Sequence, residues 1–413
     1  VGSAMVVRTV LCLQALLWAL PGAFGWSCDE GYASDSYDVL SLRWVSDPLA
    51  VCNDGTPAAY YLRRNTSSRQ WLVYLGGGGM CYDAESCQGR WNGTLYPHHN
   101  CDNSSASAPC FMSSKDYQDT CSKTGIFDTD IAHSPLAYAN KIYIPYCSSD
   151  FFIGDTGPAN GMPYSFRGQR VVTATLADLV ANEDLGGSAS GEELVFGGGS
   201  AGGRGAMAFL DLVPDLVPSS VTVLGFLDSN YYLDVDPFPA SGFSGFQQQT
   251  QLISDSMNGS SLAAASSPAC VAAYPGQTWK CSYGQYRMPF IKTSYLMVAA
   301  QYDGWQLSHD VHDYQGIEAD PVYTEDELDY VNSFGAATQA LVQTLPSAVE
   351  TGSALVFSPA CYSHHVSETP NFWNASTSDG TSQAGAMATL LSLPEAAQYW
   401  VDDCVGYACG SGC

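Results

Sequence analysis

The stretch Leu194-Val195-Phe196-Gly197-Gly198-Gly199-Ser200-Ala201-Gly202-Gly203 constrains the architecture more than any other part of the chain. Its apolar half reads as a short buried strand and its glycines as a tight turn. The residues from Ala201 through Met207 to Leu212 read as a helix. Gly198-x-Ser200-x-Gly202 is the spacing of a nucleophile elbow. In that turn a serine is pushed out above a sheet, and only small residues two before and two after let the chain bend so sharply. The following helix aims free N–H groups at the same spot, so backbone donors for an oxyanion come with the geometry. Glycine is common here, 40 of 413 residues, and a glycine-rich turn with an incidental serine would show the same spacing. The flanking strand and helix carry the argument.

Other segments repeat the pattern of strand followed by helix. Gln70–Leu75 predicts a strand ending in Gly76-Gly77-Gly78-Gly79, where backbone without side chains can approach a partner closely. Ala58–Arg63 predicts an edge strand, and Lys141–Tyr146, Val221–Leu227, Ser294–Ala300 and Ala354–Phe357 predict core strands. Gln169–Val180 places Val171, Val172, Thr175, Leu176, Leu179 and Val180 on one helical face, and Glu325–Leu345 reads as a long helix. Residues 92–124, polar and cysteine-rich, read as a stapled surface excursion, and residues 242–280 as a cap over the site. The alternation predicts an α/β fold, α/β-hydrolase-like, with a mostly parallel sheet and helices on both faces.

The chain carries 15 Lys and Arg against 41 Asp and Glu, a net charge of −26. Such a surface repels phosphate backbones and excludes nucleic acid as a partner class. It also disfavours polyanionic substrates unless the cleft is locally neutral or basic. Residues 1–25 have the form of a secretory signal: Arg8, an apolar core over residues 10–20, then Pro21 and Ala23-Phe24-Gly25, with Met5 a candidate start. The core is too short to span a bilayer comfortably. The expectation is a secreted, extracellular protein with no stable membrane span and a single catalytic domain over residues 26–413. Of the 15 cysteines, Cys12 falls in the leader and 14 remain, an even number that suits disulfides in an oxidising compartment. Cys81 with Cys87 is the local pairing expected, Cys404, Cys409 and Cys413 are expected to tie down the tail, and Cys147 and Cys361 are left open as free thiols. Sequons at Asn65, Asn92, Asn103, Asn258 and Asn374 fit glycosylation. No CxxC pair is present, and no metal or other cofactor is expected.

In a parallel α/β sheet, ligands bind beyond the carboxyl ends of the strands. Ser200, Asp303 and His364 each follow such a strand, in the chain order of α/β hydrolases. His364 would take and return the serine proton, and Asp303 would hold the imidazole. Ala201 would supply one oxyanion donor and Gly77, Gly78 or Gly79 the second. Asp228 and Asp150 compete with Asp303 on position alone, and His365 with His364.

Six ordered stretches resemble the pectin acetylesterase and Notum family of secreted serine carboxylesterases: residues 71–81, Ile144–Asp150, Phe166–Arg170, Gly199–Gly203, Tyr302–Leu307 and Cys361–His364. The resemblance implies Ser200, Asp303 and His364 as the catalytic set, with Asp228 supporting. It implies a carboxylic ester as substrate, the first candidate being an O-acetylated polysaccharide such as pectin. The alternative is a fatty acyl group on a protein serine, so the partner is an acylated carbohydrate or an acylated protein. A non-catalytic glycan-binding relative is the rival from another class. Two positions depart from the family pattern. Gly76 stands where glutamate is usual, which touches the geometry of the oxyanion loop, and Met80 stands near a usual tryptophan, which touches the acyl or sugar pocket.

Overall fold

The computed structural model describes residues 37–96, 111–158, 161–188, 191–345, 353–407 and 409. The expected signal segment and the sequon at Asn103 lie outside the described residues. Twelve strands occur in chain order: β1 (Asp38–Trp44), β2 (Ala59–Arg63), β3 (Gln70–Leu75), β4 (Thr120–Lys123), β5 (Asn140–Ile144), β6 (Glu192–Gly199), β7 (Val221–Asp228), β8 (Tyr295–Val298), β9 (Tyr302–Asp303), β10 (Ala354–Ser358), β11 (Tyr362–Ser363) and β12 (Gln398–Val401). Ten of them form one sheet in the order β12-β10-β8-β7-β6-β3-β5-β2-β1-β4. The run from β12 to β5 is parallel, and β2, β1 and β4 add on antiparallel. This is an α/β-hydrolase-like architecture.

The central strands are buried on both faces, which is why they read as continuous apolar runs. Their alternation sorts side chains into two cores. Trp71, Val73, Leu75, Leu194 and Phe196 face one side, with Val171, Val172, Leu176 and Leu179 of helix Gly168–Asn182. Leu72, Tyr74, Val195, Leu224 and Phe226 face the other, with Phe372 and with Ala386, Met387 and Leu390 of helix Gln383–Leu391. Helices therefore cover both faces.

Three differences from the sequence reading have physical causes. The segment expected at an edge, β2, lies inside the sheet between β5 and β1 and is almost wholly buried. Beyond it stand β1 and β4, which the polarity of their segments concealed. β4 belongs to the stretch read as an excursion, and its Lys123 is buried in an ion pair with Glu368 at 2.8 Å. Lys141 of β5 is equally buried, its Nζ donating to Asp38 at 2.8 Å and to the carbonyls of Phe127 and Asp128. Burial of these ammonium groups is possible because each is paired. The helix after Ser200 ends at Phe209, and a short second helix, Val213–Leu216, follows with a proline in its first turn.

Disulfides staple the described chain at Cys52–Cys147, Cys81–Cys87, Cys270–Cys281 and Cys404–Cys409. Cys121 and Cys361 are also disulfide-bonded, so neither Cys147 nor Cys361 is a free thiol.

Candidate active site

The chain runs from β3 to β5 on one side and then to β6 on the other, so β3 is where the strand order reverses. Crevices form at such points, and Ser200 follows β6 directly beside the glycine loop that follows β3. Ser200 has φ 54° and ψ −121°, a strained left-handed position for a residue with a side chain. The surrounding glycines are required by contact. A β-carbon on Gly198 would lie 2.6 Å from the Gly202 carbonyl, and one on Gly202 would lie 2.0 Å from the Leu75 oxygen. Strand, turn and helix can close on each other only without side chains there.

Asp303 and His364 reach the serine by a different device. β8 and β10 are paired neighbours, and each resumes four residues later as β9 and β11, which pair again in register, Tyr302 with Tyr362 and Asp303 with Ser363. His364 is the next residue. Its Nδ1–H donates to Asp303 Oδ2 at 2.7 Å, which leaves Nε2 to accept from Ser200 Oγ–H at 2.8 Å. Asp303 caps helix Gly304–His312, its Oδ1 accepting from the Gln306 N–H at 2.9 Å. Both carboxylate oxygens are thus committed, and the group cannot turn. All three side chains are buried, and Trp305 stacks on the His364 ring at 5.9 Å between centroids.

Gly77 lies against the serine: a β-carbon there would be 3.0 Å from Ser200 Cβ. Gly78 and Gly79 have positive φ, 139° and 68°, and pack under Phe111 and Tyr96. The N–H groups of Gly77, Gly78 and Gly79 make no hydrogen bond among the described residues, and Ala201 opens its helix, where N–H groups have no intrahelical acceptor. These four expected donors are therefore uncommitted within the described backbone, and of the loop glycines Gly77 is the one shown against Ser200.

The two departures are accommodated. A β-carbon on Gly76 would lie 2.5 Å from the Tyr143 hydroxyl, so Tyr143 fills the space a larger residue would need. Met80 is buried, with its carbonyl and its sulfur both facing the Tyr96 hydroxyl, at 3.1 and 3.4 Å.

The competing residues do other things. Asp150 accepts from Ser148 Oγ and from the N–H groups of Phe152, Gly154 and Gly168, fixing the start of helix Gly168–Asn182. Burial pushes its carboxyl up to about 7, against hydrogen bonds that favour the charged form. Asp228 accepts from Ser229 Oγ and the Ser367 N–H, and Ser229 Oγ accepts from the His365 N–H, so β7 pins the loop that carries His364. His365 turns its ring toward Gly77 and Gly199, with its Nδ1 3.9 Å from Glu368 Oε2.

Four buried residues that the sequence reading did not single out pack around this region. Gln306 donates to the Tyr231 carbonyl and accepts from the Leu233 N–H, clamping the backbone on either side of Tyr232. Burial pushes the Tyr232 phenol up and nearby Asp303 adds to this, while the Arg204 guanidinium and the Ser200 side chain work the other way. His309 is enclosed by Trp305, Tyr96, Phe243 and Phe246. Burial pushes its imidazole down to about 4, although its bond to the Trp305 carbonyl favours the proton. Arg204, on the helix that Ser200 begins, is buried against aromatic rings. Its spacing of four from Ser200 was visible in the sequence; the placement of the others depends on tertiary structure. Among the described residues, no group of three or more His, Cys, Asp or Glu converges as metal ligands would, and no helix is long and apolar enough to cross a membrane.

Comparison with known proteins gives a consistent set of matches. The model of the pectinacetylesterase family matches residues 33–413. Palmitoleoyl-protein carboxylesterase notum1a of Danio rerio is 28% identical over 372 residues, covering 88% of this chain and 65% of that protein. Palmitoleoyl-protein carboxylesterase NOTUM of Drosophila melanogaster is 29% identical over 368 residues, covering 86% of this chain and 47% of that protein. The chain thus spans between about half and two thirds of the length of these relatives. A crystal structure of the Wnt deacylase Notum from Drosophila superposes with a TM-score of 0.75 at 26% identity, over 91% of this chain and 99% of that one.

Proposed function

The chain belongs to the pectinacetylesterase family, whose relatives here are carboxylesterases, and on that premise we propose that it hydrolyses carboxylic esters through an acyl group carried on Ser200. The observation that carries the reading is the hydrogen-bonded series from Ser200 through His364 to Asp303, at 2.8 and 2.7 Å. Ser200 Oγ attacks the ester carbonyl carbon while its proton passes to His364 Nε2. Asp303, holding Nδ1–H, keeps the imidazole in the accepting tautomer and stabilises the imidazolium. The oxyanion forms against the N–H of Ala201 and those of the Gly77–Gly79 loop. Collapse breaks the bond to the alcohol, which leaves with the proton from His364. Water, giving its proton to the same nitrogen, then attacks the acyl carbon, and Ser200 is released.

The acyl donor is read first as an O-acetylated polysaccharide such as pectin, as the family's name suggests. The relatives' names support a second reading, a fatty acyl ester on a protein. Secretion is part of the proposal: the disulfides suit an oxidising compartment, and residues 1–25 have the form of a leader.

Hydrolysis of p-nitrophenyl acetate by the wild type and by Ser200→Ala tests the mechanism. The expected loss is about a thousandfold or more in kcat, with the fold intact by circular dichroism. Asp303→Asn, which keeps the shape and loses the charge, is expected to fall by about two to four orders of magnitude. Turnover that survives Ser200→Ala would remove the reading, and a folded wild type with no turnover on short or long esters would favour the glycan-binding rival.

A further inference from the structure

Arg204 is a charged residue near Ser200 whose chemistry the proposed reaction leaves unused. It stands one helical turn after the serine, on the same face of the helix, and its backbone N–H donates to the Ser200 carbonyl at 3.0 Å. The residue is only 1% exposed, and among the described residues no carboxylate pairs with its guanidinium. It lies 3.7 Å from the centre of the Phe151 ring, 4.8 Å from that of Tyr232 and 5.6 Å from that of Tyr283. Nη2 donates to Thr250 Oγ1 at 2.6 Å and to the Ser282 carbonyl at 3.2 Å. Nε and Nη1 are buried and have no hydrogen-bond partner among the described residues.

A buried cation held only by ring faces and two neutral acceptors is costly. Its position beneath the nucleophile gives that cost a meaning. Tyr232, its backbone clamped by Gln306, neighbours both Ser200 and the guanidinium, which lies 4.8 Å from its ring, and Phe246 packs edge-on to it at 5.0 Å. An acyl chain continuing from Ser200 along this helix face meets Tyr232 and then the charge. A long apolar chain would have to lie against unsatisfied N–H groups or pull the guanidinium out of its aromatic stack. A chain of one or two carbons ends above both.

We propose that Arg204 closes the acyl side of the site one turn below Ser200 and restricts the enzyme to short acyl groups, acetyl first. Arg204 acts here as a specificity-determining residue and touches no reacting atom. The inference rests on the ester-hydrolase reading of Ser200 and deepens it: within that reading it selects the acetyl ester over the fatty acyl ester.

The test is the chain-length profile on p-nitrophenyl acetate, butyrate and octanoate, measured below the micelle-forming concentration, for wild type, Arg204→Ala, Arg204→Met and Ser200→Ala. Wild type is expected to lose about tenfold or more in kcat/KM from acetate to octanoate. Arg204→Ala is expected to raise the octanoate-to-acetate ratio by about tenfold, while kcat on acetate stays within about threefold. Arg204→Met keeps the length and removes the charge, and the same direction of change is expected if Arg204→Ala fails to fold. A wild type that prefers octanoate overturns the proposal without any variant. So does a folded Arg204→Ala or Arg204→Met with an unchanged ratio. Activity that survives Ser200→Ala overturns the esterase reading itself, and the proposal with it, whichever way the ratios fall.

Discussion

At the scale of single residues, the site is defined as much by missing side chains as by present ones. Gly76 shows this in a form that can be measured. Its absent β-carbon is the space taken by the Tyr143 hydroxyl. Gly76→Ala is therefore expected to cost about 1–3 kcal/mol in urea unfolding, and Tyr143→Phe, which deletes the hydroxyl, to return part of that loss. The pair should be non-additive; additive effects would mean that the contact is not what forbids a larger residue. The elbow glycines were legible in the sequence because their constraint is local, a turn between a strand and a helix. Gly76 was legible only as an oddity, since the residue that explains it lies 67 positions away on a neighbouring strand. The same holds for Tyr232 and Gln306, whose roles come from a clamp across two loops.

At the scale of elements, the loop bearing His364 is held from below by β7. Asp228 accepts from the Ser367 N–H at 3.1 Å and from Ser229 Oγ at 3.0 Å. Asp228→Ala would leave that buried N–H unpaired, at a cost of about 1–3 kcal/mol. The expected outcome is a lower unfolding midpoint, with kcat falling more than KM rises, because the imidazole loses its seat rather than the substrate its contacts. An unchanged midpoint would show that the loop is held elsewhere. The central parallel strands were legible from their continuous apolar runs. β1 and β4 were not, because an antiparallel margin needs no such run, and β4 hides a buried lysine behind a partner, Glu368, that is 245 residues distant. The capping box of helix Glu325–Val342, with Thr324 and Glu327 bonded to each other's backbone, is a local signal and was readable.

At the scale of the whole molecule, two buried groups make stability depend on pH in opposite senses. His309 is pushed down to about 4, so between there and its ordinary value near 6.5 the unfolded chain binds a proton that the folded chain refuses. Its contribution is constant above pH 6.5, falls as the pH drops, and levels off below 4, by about 3 kcal/mol in all. Asp150 is pushed up to about 7, so its folded form keeps a proton that the unfolded chain loses above pH 3.8, and its contribution falls as the pH rises through that window. His309→Gln removes the first effect alone. The difference in Tm between variant and wild type is expected to move in the variant's favour as the pH falls from 6.5 to 4.5. A constant difference across that range would rule out His309 as a source of acid sensitivity.

The break and resumption of strand pairing between β8 with β10 and β9 with β11 divides the reaction machinery mechanically. Asp303 sits on the last rung of a small two-rung ladder and His364 follows that rung directly, whereas Ser200 follows a strand of the main sheet. The small ladder thus sets Asp303 and His364 against each other, while their alignment with Ser200 depends on separate ties to the main sheet, among them the Asp228 and Ser229 bonds: spacing within the couple and aim at the serine are built by different contacts.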